Sequence, residues 1–111
     1  MSDCIFCKIA NKEIPAKIAY ENHDVLAFFD LSPQAPMHIL FIPKKHTESL
    51  STIHQDHVDA GLIMNAINEY VNANDIEGYR VVTNIGNEGG QTVKHLHFHF
   101  LAGRQMHWPP G

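Results

Sequence analysis

Residues 95–101 read His95-Leu96-His97-Phe98-His99-Phe100-Leu101, three histidines alternating strictly with bulky apolar side chains. A period of two is the periodicity of a β-strand, in which alternate side chains share a face. The run therefore predicts a strand from Val93 to Ala102. Three imidazoles would stand in a row on one side, about 6.5–7 Å apart, with Leu96, Phe98 and Phe100 on the other. A core gains nothing from three titratable rings in contact range, so the row points to chemistry. Neutral imidazole is both a nucleophile and a metal ligand. Two readings fit the spacing: two rings sharing one metal, or one ring attacking a phosphate that the next ring steadies.

A chain of 111 residues, 44% of them hydrophobic, is expected to form one domain over residues 1–111 with a core of its own. Its formal charge of −4 argues against a binder of nucleic-acid polymers or membrane surfaces, which rely on many Lys and Arg. A single small phosphate ligand remains open. Protonating all nine histidines would carry the charge from −4 to +5, so surface association should depend on pH. The chain has no apolar run of the eighteen or so residues a membrane span needs, and Met1-Ser2-Asp3-Cys4 lacks the blocks of a signal peptide. The expected location is cytoplasmic, where the pair Cys4-Ile5-Phe6-Cys7 suits metal or redox chemistry better than a structural disulfide.

Asp3 is placed to cap a short helix from Cys4 to Asn11 that Pro15 prevents from continuing. Ala16–Tyr20 and Val25–Phe29 read as antiparallel strands joined by the turn composition Glu21-Asn22-His23-Asp24. The two prolines of Ser32-Pro33-Gln34-Ala35-Pro36 stiffen a loop, and an apolar strand, His38–Ile42, follows. Thr52-Ile53-His54-Gln55 offers a capping box, after which Val58, Leu62, Ile63, Ala66, Ile67, Tyr70 and Val71 recur at helical spacing to about Ala73. Tyr79–Asn84 reads as a fourth strand. The fold class is thus α+β, a mostly antiparallel five-stranded sheet with one long and one short helix.

The loop Gly86-Asn87-Glu88-Gly89-Gly90-Gln91-Thr92 runs directly into the histidines. Glycines let backbone N–H groups approach an anion, and Gln91 and Thr92 add donors, which favours phosphate over a catalytic metal beside the rings. A hydrolytic zinc site would also want a carboxylate base, and Glu88 is the acidic residue nearest this strand in sequence.

The pattern His95-Leu96-His97-Phe98-His99-Phe100-Leu101 resembles the signature of the histidine triad (HIT) family. Supporting stretches are Lys12–Lys17, Asp30–Pro36, Ile42–His46, Gly89–Thr92 and the tail Gly103-Arg104-Gln105-Met106-His107-Trp108-Pro109-Pro110-Gly111. The tail is similar to that of the purine nucleoside phosphoramidase branch, histidine triad nucleotide-binding proteins that form homodimers. The resemblance implies an enzyme that hydrolyses the P–N bond of purine nucleoside phosphoramidates, and aminoacyl adenylates, through a covalent nucleotidyl-His97. It implies that His99 contacts the phosphate and that His38 relays a hydrogen bond to the triad. Asn84, Gly90, Gln91 and Thr92 would hold phosphate and leaving group, and Asp30 the ribose hydroxyls. Ile5, Phe6, Phe28 and Leu31 would sandwich the purine, with Trp108 packing on its own domain or reaching a partner subunit near the site. Branch members usually carry serine where Thr92 stands, which leaves leaving-group preference open.

That branch often lacks Cys-x-x-Cys, whereas other branches carry it with the histidine of the Pro-Lys-x-His stretch and bind zinc. Here Cys4, Cys7, His46 and His95 are all present, and two thiolates with two imidazoles make a closed tetrahedral set. The alternatives are inert thiols or a redox pair. A zinc ion there would be structural, with no cofactor needed for the chemical step. It would pin the first helix to the histidine segment and keep His95 from catalysis. Three rival functions stay open: a dinucleoside polyphosphate hydrolase, a non-catalytic purine-nucleotide-binding regulator, and a catalytic zinc hydrolase.

Overall fold

A computed structural model describes residues 3–111. The elements are α1 (Ile5–Ala10), β1 (Ile18–Glu21), β2 (Val25–Phe29), β3 (Met37–Pro43), α2 (Ala60–Ala73), β4 (Tyr79–Val82) and β5 (Phe98–Ala102). The five strands form one antiparallel sheet in the order β1-β2-β3-β5-β4, the α+β architecture expected from the pattern.

Alternation along β2, β3 and β5 gives the sheet two different faces. Val25, Ala27, Ile39, Phe41, Phe98 and Phe100 pack with Ile63, Ala66, Ile67, Tyr70 and Val71 of α2 in the main core. Phe41, Tyr70 and Phe100 meet there with ring centroids 5.8–6.0 Å apart. Each such side chain removed from water contributes about 1.5–3 kcal/mol. The opposite face carries Leu26, Phe28, Leu40 and Ile42 beneath Phe6 and Ile9 of α1, a smaller cluster. A helix of six residues is too short to stand alone, so α1 depends on this packing.

Of the boundaries that differ from expectation, β1 runs Ile18–Glu21 rather than Ala16–Tyr20, β3 gains Met37 and Pro43, and β4 stops at Val82 rather than Asn84, and three further differences bear on the site. The cap of α1 is Cys4, whose Sγ accepts from the Cys7 N–H at 3.3 Å, rather than Asp3. Thr52-Ile53-His54-Gln55 does not open the long helix. The capping box joins Ser49 and Thr52 around a single 3-10 turn, and the left-handed φ of 56° at His57 breaks the chain before Asp59 caps α2. Most consequentially, the last strand begins at Phe98. Residues 93–95 form a bend, so the three histidines do not stand on one strand. Periodicity reports which side chains are buried together, and the alternation does continue through the bend. It cannot report where backbone pairing stops. Among the described residues no helix is long and apolar enough to cross a membrane.

Candidate active site and metal centre

Strand register builds the candidate site. Phe28 lies opposite Leu40, and Leu40 opposite His99. One step further along the same face, Asp30 donates its N–H to the His38 carbonyl at 3.0 Å. The period of two thus sets Phe28 and Asp30, then Leu40 and His38, then His99 side by side across three strands. The Phe6 ring packs edge-on against Phe28 at 5.4 Å and against His97 at 5.1 Å between centroids, and His97 lies 5.1 Å from His99. A cleft of about 250 Å³ opens between α1 and β2, walled by Ile5, Phe6 and Phe28 with Asp30 and Leu31 at its rim. Ile5, Phe6, Phe28, Asp30, Leu31, His38, His97 and His99 are therefore brought together. Leu31 is 99% exposed, so it forms a lip, not a floor. Pattern reading missed Ile9, Pro15, Ala16, Lys17 and Leu40, which also line the cleft. Their contribution depends on how α1 lies on the sheet, which local sequence does not carry.

Backbone partners settle the ring tautomers. The Nδ1 of His97 lies 2.8 Å from the His95 carbonyl, which can only accept, so Nδ1 carries the proton and Nε2 keeps a lone pair. The Nδ1 of His38 accepts from the Gln34 N–H at 3.0 Å, so its Nε2–H is the donor to His99 Nδ1 at 2.9 Å. His99 then carries its proton on Nε2. Burial pushes both His38 and His99 below the usual imidazole range, keeping them neutral. At His38 the Asp30 carboxylate, whose Oδ2 lies 3.6 Å away, opposes the shift. Asp30 Oδ1 accepts from the Ser32 N–H at 2.7 Å, leaving further lone pairs for a ligand. Asp30, His38 and His99 lie close enough to hold a cation together, yet the Gln34 amide forces a proton onto the very nitrogen of His38 that would have to ligate. His38 and His99 form a hydrogen-bonded pair with the Asp30 carboxylate beside it.

The second cluster has the opposite character. His95, fully buried, donates its Nε2–H to the Pro43 carbonyl at 2.9 Å, which turns a bare Nδ1 lone pair inward. That Nδ1 lies 3.3 Å from Cys4 Sγ, 3.5 Å from Cys7 Sγ and 3.2 Å from His46 Nδ1, and Cys7 Sγ is 3.4 Å from His46 Nδ1. Four donor atoms, two sulfurs and two imidazole nitrogens, thus lie within 4.8 Å of one another. Ligands around a tetrahedral zinc are separated by about 3.3–3.8 Å, given bond lengths of about 2.0–2.3 Å. The donors present fit a zinc ion, and the Pro43 carbonyl supplies the outer hydrogen bond such a histidine needs. Burial, reinforced by Cys4, raises the Cys7 thiol to about 11, while burial lowers His95 to about 4. A cation held there would offset the desolvation that opposes the Cys7 thiolate and would act in the same direction as the burial that keeps His95 neutral.

The glycine loop and tail lie differently. Gly90 sits at φ +82°, a conformation that favours glycine. Gln91 spends its side chain on the backbone: its amide donates to Glu48 O at 2.7 Å and Val93 O at 3.0 Å, and its carbonyl accepts from the Gly86 N–H. It braces the loop. Thr92 lines a separate depression of about 450 Å³ with Cys4, Ile5, His46 and Lys94, which shares Ile5 with the cleft. Asn84 lies two residues beyond the end of β4 and is half-buried. Trp108 is 82% exposed and does not pack on its own domain.

Fold and site together define a small α+β protein with a paired-histidine cleft and a separate Cys-Cys-His-His cluster behind it. Residues 3–108 match the family model described as scavenger mRNA decapping enzyme C-term binding. An uncharacterized HIT-like protein of Synechococcus elongatus is 47% identical over 98% of this chain and 97% of its own length. A 14 kDa zinc-binding protein of Zea mays is 46% identical over 99% of this chain and 89% of its own length. Among solved structures, a histidine triad protein from Clostridium difficile superposes with a TM-score of 0.90 at 49% identity, covering 96% of this chain and 95% of that one. A HIT family hydrolase from Legionella pneumophila gives 0.87 at 46% identity, covering 98% and 100%. The chain belongs to the histidine triad family.

Proposed function

We propose that this chain is a purine nucleotide-binding hydrolase that cleaves the P–N bond of nucleoside phosphoramidates, and aminoacyl adenylates, as a cytoplasmic homodimer. The observation that carries the reading is the His97 ring, whose Nδ1–H is tied to the His95 carbonyl so that Nε2 is a free nucleophile. In this reading the base lies in the apolar cleft between Ile5, Phe6, Phe28 and Leu31, with the ribose hydroxyls on Asp30. His97 Nε2 attacks the α-phosphorus to form the P–N bond of a nucleotidyl-imidazolium, the substrate P–N bond breaks, and the amine leaves with a proton taken from water. Water then cleaves the nucleotidyl-histidine to release the nucleoside monophosphate. The Nε2–H of His99, set by His38, donates to a phosphate oxygen, with Asn84, Gly90 and Thr92 around phosphate and leaving group. Zinc at Cys4, Cys7, His46 and His95 supplies structure, and every chemical step uses side chains and water alone.

Dimerisation draws support from β4, an edge strand with Tyr79 and Val81 exposed, and from the exposed Trp108 tail. Native mass spectrometry after mixing with adenosine phosphoramidate tests the whole reading. The expected result is a dimer that transiently carries a nucleotidyl group on His97, with His97→Ala giving no adduct and a loss of activity of at least about a thousandfold. An adduct that persists in His97→Ala, or a preference for P–O–P over P–N substrates, overturns it.

A further inference from the structure

The segment carrying His97 lies beyond the sheet ladder. Pairing between β4 and β5 stops at Val82 opposite His99, and β5 begins at Phe98. Residues 95–97 therefore take their hydrogen bonds elsewhere. The Leu96 N–H donates to Thr47 O at 2.8 Å, the His95 ring to Pro43 O at 2.9 Å, and the His97 ring to His95 O at 2.8 Å. The His97 carbonyl accepts from the hydroxyl of Thr83 at 2.8 Å. Of these four anchors, only the last comes from a side chain outside the histidine run. The bend at residues 93–95 carries His95 to Cys4, Cys7 and His46, and that bend requires the ladder to end early. Ending it leaves the carbonyl of the next residue in need of a donor, since a half-buried carbonyl without one is costly. Thr83, the first residue after β4, supplies it.

We propose that Thr83 is a positioning residue for His97. Its hydroxyl holds the His97 peptide where strand pairing has stopped, and so keeps the ring seated on the His95 carbonyl with Nε2 directed to the cleft. The inference rests on the reading of His97 as nucleophile. Thr83→Val keeps the shape and removes the donor; Thr83→Ser keeps the donor and removes the methyl. Three readouts apply: the single-turnover rate of adduct formation by intact mass, the affinity for AMP by calorimetry, and the His97 tautomer by imidazole nitrogen NMR.

The expected result for Thr83→Val is adduct formation slowed roughly tenfold, because small misplacements of a reacting group are expensive, with AMP affinity within about twofold of native. Its His97 would show a mixture of tautomers where the native ring shows Nδ1–H alone. Thr83→Ser should restore rate and tautomer. If the valine variant does not fold, Thr83→Ala removes the same donor and is read in its place. A native rate in the donor-free variant overturns the proposal. So does a serine variant as slow as valine, or AMP affinity falling in step with rate. If the native protein itself forms no adduct, the nucleophile reading fails separately, and an unchanged tautomer in Thr83→Val then overturns the positioning role on its own.

Discussion

His97 and His99 are two residues apart and chemically different, and the difference comes from what each Nδ1 meets. A carbonyl at 2.8 Å fixes a proton on His97 Nδ1, whereas the donated Nε2–H of His38 leaves His99 Nδ1 as acceptor. One ring therefore offers a lone pair at Nε2 and the other a proton. Phe6 connects these rings to the cleft, touching Phe28, His97 and, at 5.9 Å, His95. Phe6→Ala should cost about 3 kcal/mol of stability as a buried aromatic deletion. It should also weaken AMP binding about tenfold or more, since base–aromatic stacking contributes roughly 1–3 kcal/mol. Thermal melting and calorimetry check the two effects, and AMP affinity equal to native would exclude Phe6 from the base pocket.

At the scale of elements, α1 does two jobs on one turn. Cys4 and Cys7 face His46 and His95 while Ile5 and Phe6 wall the cleft, so whatever holds the helix to those histidines also holds that wall in place. Six residues cannot keep a helix by local bonds, and closed tetrahedral metal sites contribute folding free energy outright. Metal analysis of the purified protein should find one zinc per chain. Removing it with a strong chelator, or by Cys7→Ser, should lower the melting temperature by about 5 °C or more and loosen AMP binding. A metal-free protein with the same melting temperature would leave the cluster as packed thiols.

Across the whole molecule the buried histidines make stability depend on acid. His95 is held at about 4, and His38 and His99 are also lowered, each chiefly by burial. The unfolded chain takes up protons near 6.5 while the folded chain resists them, so unfolding becomes easier as pH falls. Stability should hold from pH 8 to about 6.5 and decline below, by about 3 kcal/mol at pH 4 for His95 alone. Protons also compete with zinc for its ligands, which acts in the same direction. Melting curves across this range check the window, and a melting temperature that rises on acidification from pH 6.5 would contradict it.

The sequence by itself determined the five strands, the two helices and the two-sided alternation, because burial follows a local period. It also named the residues of the Cys-Cys-His-His cluster and, of the apolar cleft, Ile5, Phe6, Phe28 and Leu31, because His, Cys and paired aromatics in that order resemble one family; Ile9, Pro15, Ala16, Lys17 and Leu40 it did not name. It did not determine that the last strand starts at Phe98, or that Gln91 braces its own loop. Nor did it determine the tautomer of any ring. Those depend on carbonyls of Pro43, Thr47 and Glu48, which lie 43 to 52 residues from the groups they serve, and on the Gln34 amide and the His95 carbonyl, which are near in sequence but aimed by a turn and a bend that no period reports. Hydrogen-bond direction is decided only when the chain has closed on itself, and here that closure makes three similar imidazoles into a metal ligand, a nucleophile and a donor.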